Sequence, residues 1–353
     1  DDWPEWKQAI NEEMQALEKN KTWDLVELPI GARAVPCKWV FKIKYSENGT
    51  VNRYKARLVA KGCSQRQGYD YQETYAPVVR ITTVRTLLAV AVQKKFYLHQ
   101  MDVRTAFLNG NLSETVYMLQ PPGFERGKKV CKLNKLNKSL YGLKQAPRSW
   151  NEMFHNYMLT LEFVRSAYDS CLYTRKSTKA VMYLILYVDN IVLAHSLEEI
   201  RLVKEQLKRK FEMDDMQEIS NFLGMKIDYD MAQGTLKINQ SKYVKDLLKR
   251  FGMEDCKPSL VPLETNLKLT RTLNIEGTTQ HPYCELVGCL TYLMITSRPD
   301  ISIAVNYLTR LAKYEHWTHL KRVLRYLQGT KDYFLEYRLN QEEPIVGFAD
   351  ADW

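Results

Sequence analysis

The segment AVMYLILYVDNIVLAH, residues 180–195, contains two β-rich runs separated by two polar residues. The runs cover 181–188 and 191–194, and the pair between them, Asp189 and Asn190, has the spacing of a tight β-hairpin turn. Because asparagine tolerates a positive φ, we expect Asn190 to lie within the turn itself. The segment therefore predicts an apolar hairpin that carries a carboxylate, Asp189, at its tip.

A second apolar run, 96–101, also leads into a carboxylate, Asp102. Carboxylates at strand ends can converge on one edge of a sheet, where they repel each other unless a divalent cation lies between them. Such a pair suits phosphoryl or nucleotidyl transfer. The residue types alone leave the alternative open, in which Asp189 is a surface turn residue and Asp102 an ordinary strand cap.

Much of the positive charge is concentrated in two segments. Residues 33–66 contain nine basic residues and one acidic residue, and residues 126–148 contain eight basic residues and no acidic one. Within the first segment we predict a hairpin of strands 38–45 and 50–61 around a turn at 46–49. A period of two residues places Arg53, Lys55 and Arg57 on one strand face. That face is either an anion-binding surface or simply solvated.

The composition excludes several protein classes. The chain has 353 residues, of which 45% are hydrophobic and 26% charged, as in globular proteins rather than disordered or fibrous ones. This length predicts two or three domains. The net charge of +10 favours an anionic partner, nucleic acid before membrane lipid. The longest apolar run, 180–188, is too short to span a membrane, and seven cysteines without a CxxC pair indicate a reducing compartment.

Further elements follow from apolar periodicity and from turn residues. The predicted helices cover 1–21, 82–92, 198–211, 241–251, 283–295, 301–313 and 316–327. A hairpin is predicted at 225–239, where Gly234 supplies the turn, and strands are predicted at 334–339 and 345–348. Cys284, Cys289, His316 and His319 have a loosely zinc-like spacing, but the two cysteines do not share a helix face well. Buried thiols and helix-capping histidines are the favoured interpretation.

Seven strings along the chain carry a family resemblance. They are RYKARLVAKG (53–62), QMDVRTAFLNGNL (100–112), VYMLQPPGF (116–124), KLNKSLYGLKQAPRSW (135–150), LYVDN (186–190), FLGMKI (222–227) and SRPD (297–300). Together, and in this order, they resemble the reverse transcriptase of copia-type LTR retrotransposons over essentially the whole chain. The resemblance implies an α+β fold, the right-hand polymerase of fingers, palm and thumb.

The resemblance also implies a division of the chain. Residues 1–95 are expected to form an N-terminal helix and the fingers, and residues 96–235 the palm, with a fingers segment near 110–150. Residues 236–332 are expected to form a helical thumb or connection. Residues 333–353 would be the truncated start of a ribonuclease H domain, in which Asp350 would be the first catalytic carboxylate. Because its partner carboxylates would lie downstream, no ribonuclease H activity is expected.

Several site residues are implied by the family's motifs. Asp102 and Asp189 would be the two metal ligands, with help from the backbone carbonyl of Val103. The expected cofactor is Mg²⁺, with Mn²⁺ as its substitute. Phe107 matches the family's bulky gate, which would clash with a 2′-hydroxyl and so select deoxyribonucleotides; without the motif it reads as a core aromatic.

The remaining implied residues concern the nucleotide. Lys55 and Arg57 would hold the incoming triphosphate from the fingers hairpin, a role that suits an ammonium and a guanidinium on one strand face. Gln145 would line the nucleotide pocket near the templating base, and Arg148 would assist it.

The sequence departs from the family at the turn. Where these enzymes usually read Tyr-Val-Asp-Asp, this chain reads Tyr187-Val188-Asp189-Asn190. Asparagine keeps an oxygen ligand but removes a charge worth about 4 kcal/mol at about 4 Å and an effective dielectric constant near 20. The loss approaches about a thousandfold in rate if Asn190 is a ligand and is smaller if it lies behind the ligands.

The resulting expectation is an RNA- and DNA-templated DNA polymerase, weakened by Asn190. Its substrates would be deoxynucleoside triphosphates and its partner an RNA or DNA primer-template, with no membrane partner and homodimerisation left open. The expected location is a cytoplasmic virus-like particle, or the nucleus. The alternative is a catalytically dead retrotransposon relic that only binds nucleic acid.

Overall fold

The structure is a computed structural model of the chain. It describes residues 2–45, 50–127, 129–133, 138–177, 180–264, 267, 282–310 and 317–339. The chain divides into two compact units. Unit 1 comprises Asp1–Val79, Gln100–Leu193 and Glu198–Met216, and unit 2 comprises Arg80–His99, Ala194–Leu197 and Gln217–Trp353. The predicted turn at 46–49, the strand 345–348, His316 and Asp350 lie outside the described residues.

The described chain contains both helices and strands, with a run of strands after α1 and a run of helices from α5 to α8. The α-helices are α1 (Trp3–Lys19), α2 (Ile81–Lys94), α3 (Ala146–Thr160), α4 (Leu197–Lys210), α5 (Ser241–Arg250), α6 (Tyr283–Thr296), α7 (Ser302–Arg310) and α8 (Trp317–Gly329). Short 3₁₀ helices cover Gly62–Ser64, Ala106–Asn109 and Pro299–Ile301. This mixture agrees with the predicted α+β class, whereas the division into fingers, palm and thumb stays a prediction.

Sixteen strands are described. They are β1 (Asp24–Val26), β2 (Ala34–Val35), β3 (Cys37–Tyr45), β4 (Val51–Ala60), β5 (Tyr97–Val103), β6 (Val116–Met118), β7 (Val130–Leu133), β8 (Val164–Arg165), β9 (Leu172–Lys176), β10 (Val181–Tyr187), β11 (Asn190–His195), β12 (Met213–Glu218), β13 (Asn221–Phe222), β14 (Met225–Asp230), β15 (Thr235–Asn239) and β16 (Leu335–Arg338). They form a β3-β4 hairpin and three sheets with the orders β1-β7-β6-β2, β12-β5-β11-β10-β9-β8 and β13-β14-β15-β16.

Helix α1 forms where periodicity predicts it. Pro4 lies in its first turn, where no backbone donor is lost, and Ile10, Met14 and Leu17 are buried on one stripe. Ile10 packs against Ala56 of β4, and Met14 and Leu17 join the cluster that contains Leu58 of the same strand. The apolar stripe thereby holds α1 against the β3-β4 hairpin.

The β3-β4 hairpin has the predicted alternation. Ala56 and Leu58 are buried, whereas Lys55 and Arg57, which alternate with them, are only partly buried, because successive side chains point to opposite faces of a strand. In the antiparallel register Lys42 lies opposite Lys55. One face therefore packs against the core and the other presents cations.

The six-stranded sheet joins the two predicted acidic strand ends, since β5 and β11 are hydrogen-bonded neighbours in it. Leu184, Ile185 and Leu193 are fully buried in this sheet, so both faces of the hairpin strands β10 and β11 are covered. Helix α3 belongs to the same unit and was not expected from the sequence. Its buried face includes Trp150.

Unit 2 contains a helical core formed by apolar residues of α5, α6, α7 and α8. The predicted helices there are confirmed to within a few residues over their described parts, and Gly234 has a φ of +64° in the β14-β15 turn. The prediction of buried thiols is wrong for Cys284, which is exposed because the core face of α6 is formed by Leu286 and Leu290. Within the described ranges, no helix is both long and apolar enough to span a bilayer.

Candidate active site

A cavity of about 440 Å³ in unit 1 is lined by charged side chains, which include cations of the predicted basic segment 33–66 and the two predicted aspartates, Asp102 and Asp189. Its walls come from α1, the β3-β4 hairpin, the end of β5, the β10-β11 turn and the start of β12. The acidic lining residues are Glu12, Glu13, Asp102, Asp189, Glu212 and Asp214. The basic lining residues are Lys19, Lys44, Arg53, Lys55, Arg57 and Arg104.

Backbone hydrogen bonds bring the two predicted aspartates together. The amide of Val103, next to Asp102, donates to the carbonyl oxygen of Asp189 over 2.7 Å. The indole Nε1 of Trp150 donates to the carbonyl oxygen of Val188 over 2.6 Å. Two neighbouring elements therefore hold the β10-β11 turn in place beside the end of β5.

The turn differs from the sequence prediction in one respect. Its two residues are Val188 and Asp189, and Asn190 already begins β11, so the prediction that Asn190 lies in the turn is wrong. The positive φ falls on Val188, at 54°, although a β-branched residue disfavours this region. The reason is tertiary, because the bonds to Trp150 and Val103 hold the backbone of the turn and Asn190 pairs within the sheet.

The pKa of the Asp102 carboxyl is raised, first by burial and next by the negative charge of Asp189. Asp214 adds to this effect, whereas Lys44 and Lys55 oppose it. The raised pKa means that burying the charged Asp102 carboxylate beside Asp189 costs free energy, and a divalent cation would offset that cost.

The donor set fits Mg²⁺ in a partial way. Carboxylate oxygens of Asp102 and Asp189 and the carbonyl of Val103 are the hard oxygen ligands that Mg²⁺ prefers. In the described part of the chain, no three His, Cys, Asp or Glu side chains converge as a ready metal site. Mg²⁺ commonly uses one or two carboxylates and completes its octahedron with water and substrate phosphates, so two aspartates suffice.

The cationic wall of the cavity is formed by the β3-β4 hairpin. The pKa of Lys55 is lowered, first by burial and then by the positive charges of Arg57 and Lys44. Arg53 is drawn into an ion pair with Glu12 of α1, at 3.0 Å between Nη2 and Oε2. The guanidinium of Arg57 lies 4.5 Å from the ring centroid of Tyr141. Crowded and partly desolvated cations such as Lys55 favour binding of an anion.

Three other predicted residues lie outside this lining. Phe107 is partly buried in the 3₁₀ helix Ala106–Asn109, and its ring contacts Tyr141 edge-on at 4.8 Å, so Tyr141 links it to Arg57. Gln145 is buried. Its Nε2 donates to the carbonyl of Asp70, and its Oε1 accepts from Gln65.

Arg148 is also outside the lining and pairs with Glu152 one helical turn further along α3, at 3.0 Å. The structure thus brings Asp102, Val103, Asp189, Lys55 and Arg57 together at the cavity. It does not place Phe107, Gln145, Arg148 or Asn190 in its wall.

The side chain of Asn190 contacts Asp189 and does not line the cavity. Its Nδ2 donates to Oδ1 of Asp189 over 3.0 Å, and its Oδ1 accepts from Nε2 of Gln100 over 2.9 Å. The carboxamide is therefore occupied on both sides by protein groups.

Sequence reasoning missed two carboxylates at the start of β12, Glu212 just before the strand and Asp214 on it, and the cation Arg104 that binds them. Nε of Arg104 donates to both carboxylate oxygens of Asp214, at 3.0 and 2.9 Å, and Nη1 lies 3.2 Å from Glu212. Arg104 holds the pKa of Asp214 below its ordinary value through this hydrogen bond. The one available signal was the position of Arg104, two residues after Asp102; Asp214 lies in an acidic run that resembles a solvated surface.

Comparisons with known proteins identify the family of this chain. A family model described as reverse transcriptase (RNA-dependent DNA polymerase) matches residues 20–265. The retrovirus-related Pol polyprotein from transposon TNT 1-94 of Nicotiana tabacum is 41% identical, over 98% of this chain and 27% of its own length. The corresponding polyprotein from transposon RE1 of Arabidopsis thaliana is 40% identical, over 99% of this chain and 24% of its own length.

The chain thus spans about a quarter of the length of these two relatives. Among solved structures, a telomerase from Candida albicans is similar over 92% of this chain and 65% of its own chain, with a low TM-score of 0.35 and 9% sequence identity. The family model matches well over half of the sequence and confirms the predicted resemblance. The chain therefore belongs to the reverse transcriptase family, in the form found in the Pol polyproteins of copia-type transposons.

Proposed function

We propose that this chain is an RNA- and DNA-templated DNA polymerase that extends a primer with deoxynucleotides by two-metal nucleotidyl transfer. The observation that supports the proposal is that Asp102 and Asp189 line one cavity, and that the β3-β4 hairpin contributes cationic side chains to the same cavity. A polyanionic substrate and cations that bind oxygen both fit such a cavity. Family membership supports the same reaction.

In this proposal Asp102, Asp189 and the carbonyl of Val103 hold Mg²⁺, and Mn²⁺ can replace it. The bound ions would activate the primer 3′-hydroxyl and stabilise the pyrophosphate leaving group. Lys55 and Arg57 bind the triphosphate and neutralise charge that develops on it.

Substrate selection is assigned to Phe107, whose ring is held against Tyr141 and through it against Arg57. A bulky ring fixed in this way excludes a 2′-hydroxyl from the space it faces. The contributions of Gln145 and Arg148 to the nucleotide pocket stay predictions, because both side chains are engaged by other protein groups.

The template and primer are expected to bind mainly through their phosphates, since the chain carries a net charge of +10. Binding would then tolerate many sequences and weaken steeply with salt. Homodimerisation and a location in cytoplasmic particles or the nucleus stay predictions.

Primer extension on poly(rA)/oligo(dT), first with Mg²⁺ and then with Mn²⁺, tests the proposal. We expect extension by the parent chain, loss of extension in Asp102→Asn, and no loss in Asp228→Asn, whose carboxylate lies on β14 and pairs with Lys226. Fluorescence anisotropy on the same primer-template measures binding separately. Binding without extension in either metal would favour the relic that only binds nucleic acid.

A further inference from the structure

The site contains a hydrogen-bonded chain of three side chains that ends on the Asp189 carboxylate. Gln100 donates from Nε2 to Oδ1 of Asn190 over 2.9 Å, and Asn190 donates from Nδ2 to Oδ1 of Asp189 over 3.0 Å. All three residues belong to unit 1.

Gln100 is the buried end of this hydrogen-bonded chain. It lies on β5, two residues before Asp102, and is only 8% exposed. The Asp189 carboxylate can only accept hydrogen bonds, so an N–H of Asn190 faces it, and the Asn190 oxygen then accepts from Nε2 of Gln100. The orientation of the Asn190 carboxamide is thereby set, with its N–H groups turned toward Asp189.

We propose that Gln100 is a positioning residue for Asp189 and acts through Asn190; this inference rests on the proposed function. If the bond from Gln100 were lost, the Asn190 carboxamide would keep one of its two hydrogen-bond partners and would be free to rotate away from Asp189. Asp189 would then lose its donor and sample other side-chain rotamers. Ordering it again on metal binding would cost conformational entropy that the parent chain has already lost on folding.

This arrangement gives Asn190 a role that does not require it to bind metal. An amide donor holds Asp189 in place before any cation arrives, whereas a second carboxylate at the same distance would repel it. The chain Gln100-Asn190-Asp189 would thus preorganise one metal ligand.

The test uses Gln100→Met, which keeps the length of the side chain and removes the donor. Gln120→Met is the matched control, because Gln120 is also 8% exposed and its side chain, among the described residues, bonds backbone groups of Arg126 and Lys129. Both substitutions are made in the parent chain and in Asn190→Ala. The readouts are kcat and KM for dTTP in primer extension, Mn²⁺ affinity from the EPR signal of the free ion, and Tm.

We expect Gln100→Met to lower kcat and Mn²⁺ affinity about five- to tenfold while the KM for dTTP stays unchanged, and Gln120→Met to leave all three unchanged. In the Asn190→Ala background, Gln100→Met should add no further loss, because the chain is already broken. An equal loss in both backgrounds would show a general structural role and overturn the inference.

The two proposals fail in different ways. A parent chain that does not extend primers refutes the polymerase, but Mn²⁺ affinity still tests the positioning role. Equal Mn²⁺ affinity in the parent and Gln100→Met would overturn that role even in an active enzyme. A parent chain that neither extends primers nor binds Mn²⁺ would overturn both.

Discussion

Replacing Asn190 with aspartate tests the electrostatics of the site most directly. In the parent chain, Nδ2 of Asn190 donates to Oδ1 of Asp189 over 3.0 Å. In Asn190→Asp, an oxygen replaces this donor and faces the Asp189 carboxylate at a similar separation. Two unit charges about 3 Å apart repel by about 1.4 kcal/mol in bulk water and by about 5.5 kcal/mol at an effective dielectric constant near 20.

Because both residues are partly exposed, we expect the lower part of this range, about 1.4 to 3 kcal/mol, as the loss of stability in EDTA at pH 7. A divalent cation that binds the folded state only should restore the loss, since ligand binding stabilises by mass action. The Tm of Asn190→Asp should therefore be lower than that of the parent in EDTA, and its rise on adding Mg²⁺ should be larger.

Differential scanning calorimetry in EDTA and in millimolar Mg²⁺ measures both quantities, and primer extension provides the rate. We expect Asn190→Asp to extend primers faster than the parent chain, with about a thousandfold as the upper limit. Isosteric Asn239→Asp on β15 in unit 2, where the asparagine is partly exposed like Asn190, serves as the control for adding a carboxylate. Identical Tm values in EDTA, together with equal extension rates, would refute the reasoning about charge at this turn.

Other predictions concern the cations and the β12 carboxylate. Lys55→Ala should raise the KM for dNTPs about 10- to 100-fold, which corresponds to the free energy of one hydrogen bond to a charged group. Lys42 lies opposite Lys55 in the hairpin register and outside the cavity lining, so Lys42→Ala should have little effect in the same steady-state assay. Arg104→Gln should lower the free energy of unfolding in urea by about 0.5 to 1 kcal/mol at pH 7, since the pair with Asp214 is half exposed. The folded-state pKa of Asp214 is lowered, so the stability difference between the parent chain and Arg104→Gln is fully present at pH values above the ordinary pKa of an aspartate. It should vanish as the pH falls through the folded-state pKa of Asp214, and a stability difference that persists in acid would contradict the prediction. Asp214→Asn should lower the pKa of Asp102 by removing a repelling charge, and the acid limb of the pH–rate profile should move to lower pH rather than stay in place.

Local patterns predicted much of the scaffold. The stripe Ile10, Met14 and Leu17 predicts α1, and the alternation around Lys55 predicts a strand with one cationic face, because both follow from the backbone period of a helix or strand. Motif strings then identify the family and point to Asp102 and Asp189. Each of these inferences needs only residues that are close together in the chain.

Other features depend on residues far apart in the sequence. The string 135–150 covers the start of helix α3, yet nothing in it indicates that Trp150 bonds to the β10-β11 turn. The same bond and that of Val103 place the positive φ on Val188 rather than on Asn190. Turn propensity alone favours the asparagine, and tertiary hydrogen bonds override it.

The family, the two acidic strand ends and the basic hairpin could all be predicted from the sequence, because periodicity and motifs are properties of neighbouring residues. The fold of the chain was needed to show that Asp214 and Arg104 line the same cavity, and that Asn190 donates to Asp189 and accepts from Gln100. The physical reason is that a hydrogen bond or an ion pair requires a distance near 3 Å. Ninety residues separate Gln100 from Asn190 along the chain, and only the pairing of β5 with β11 brings their carboxamides together.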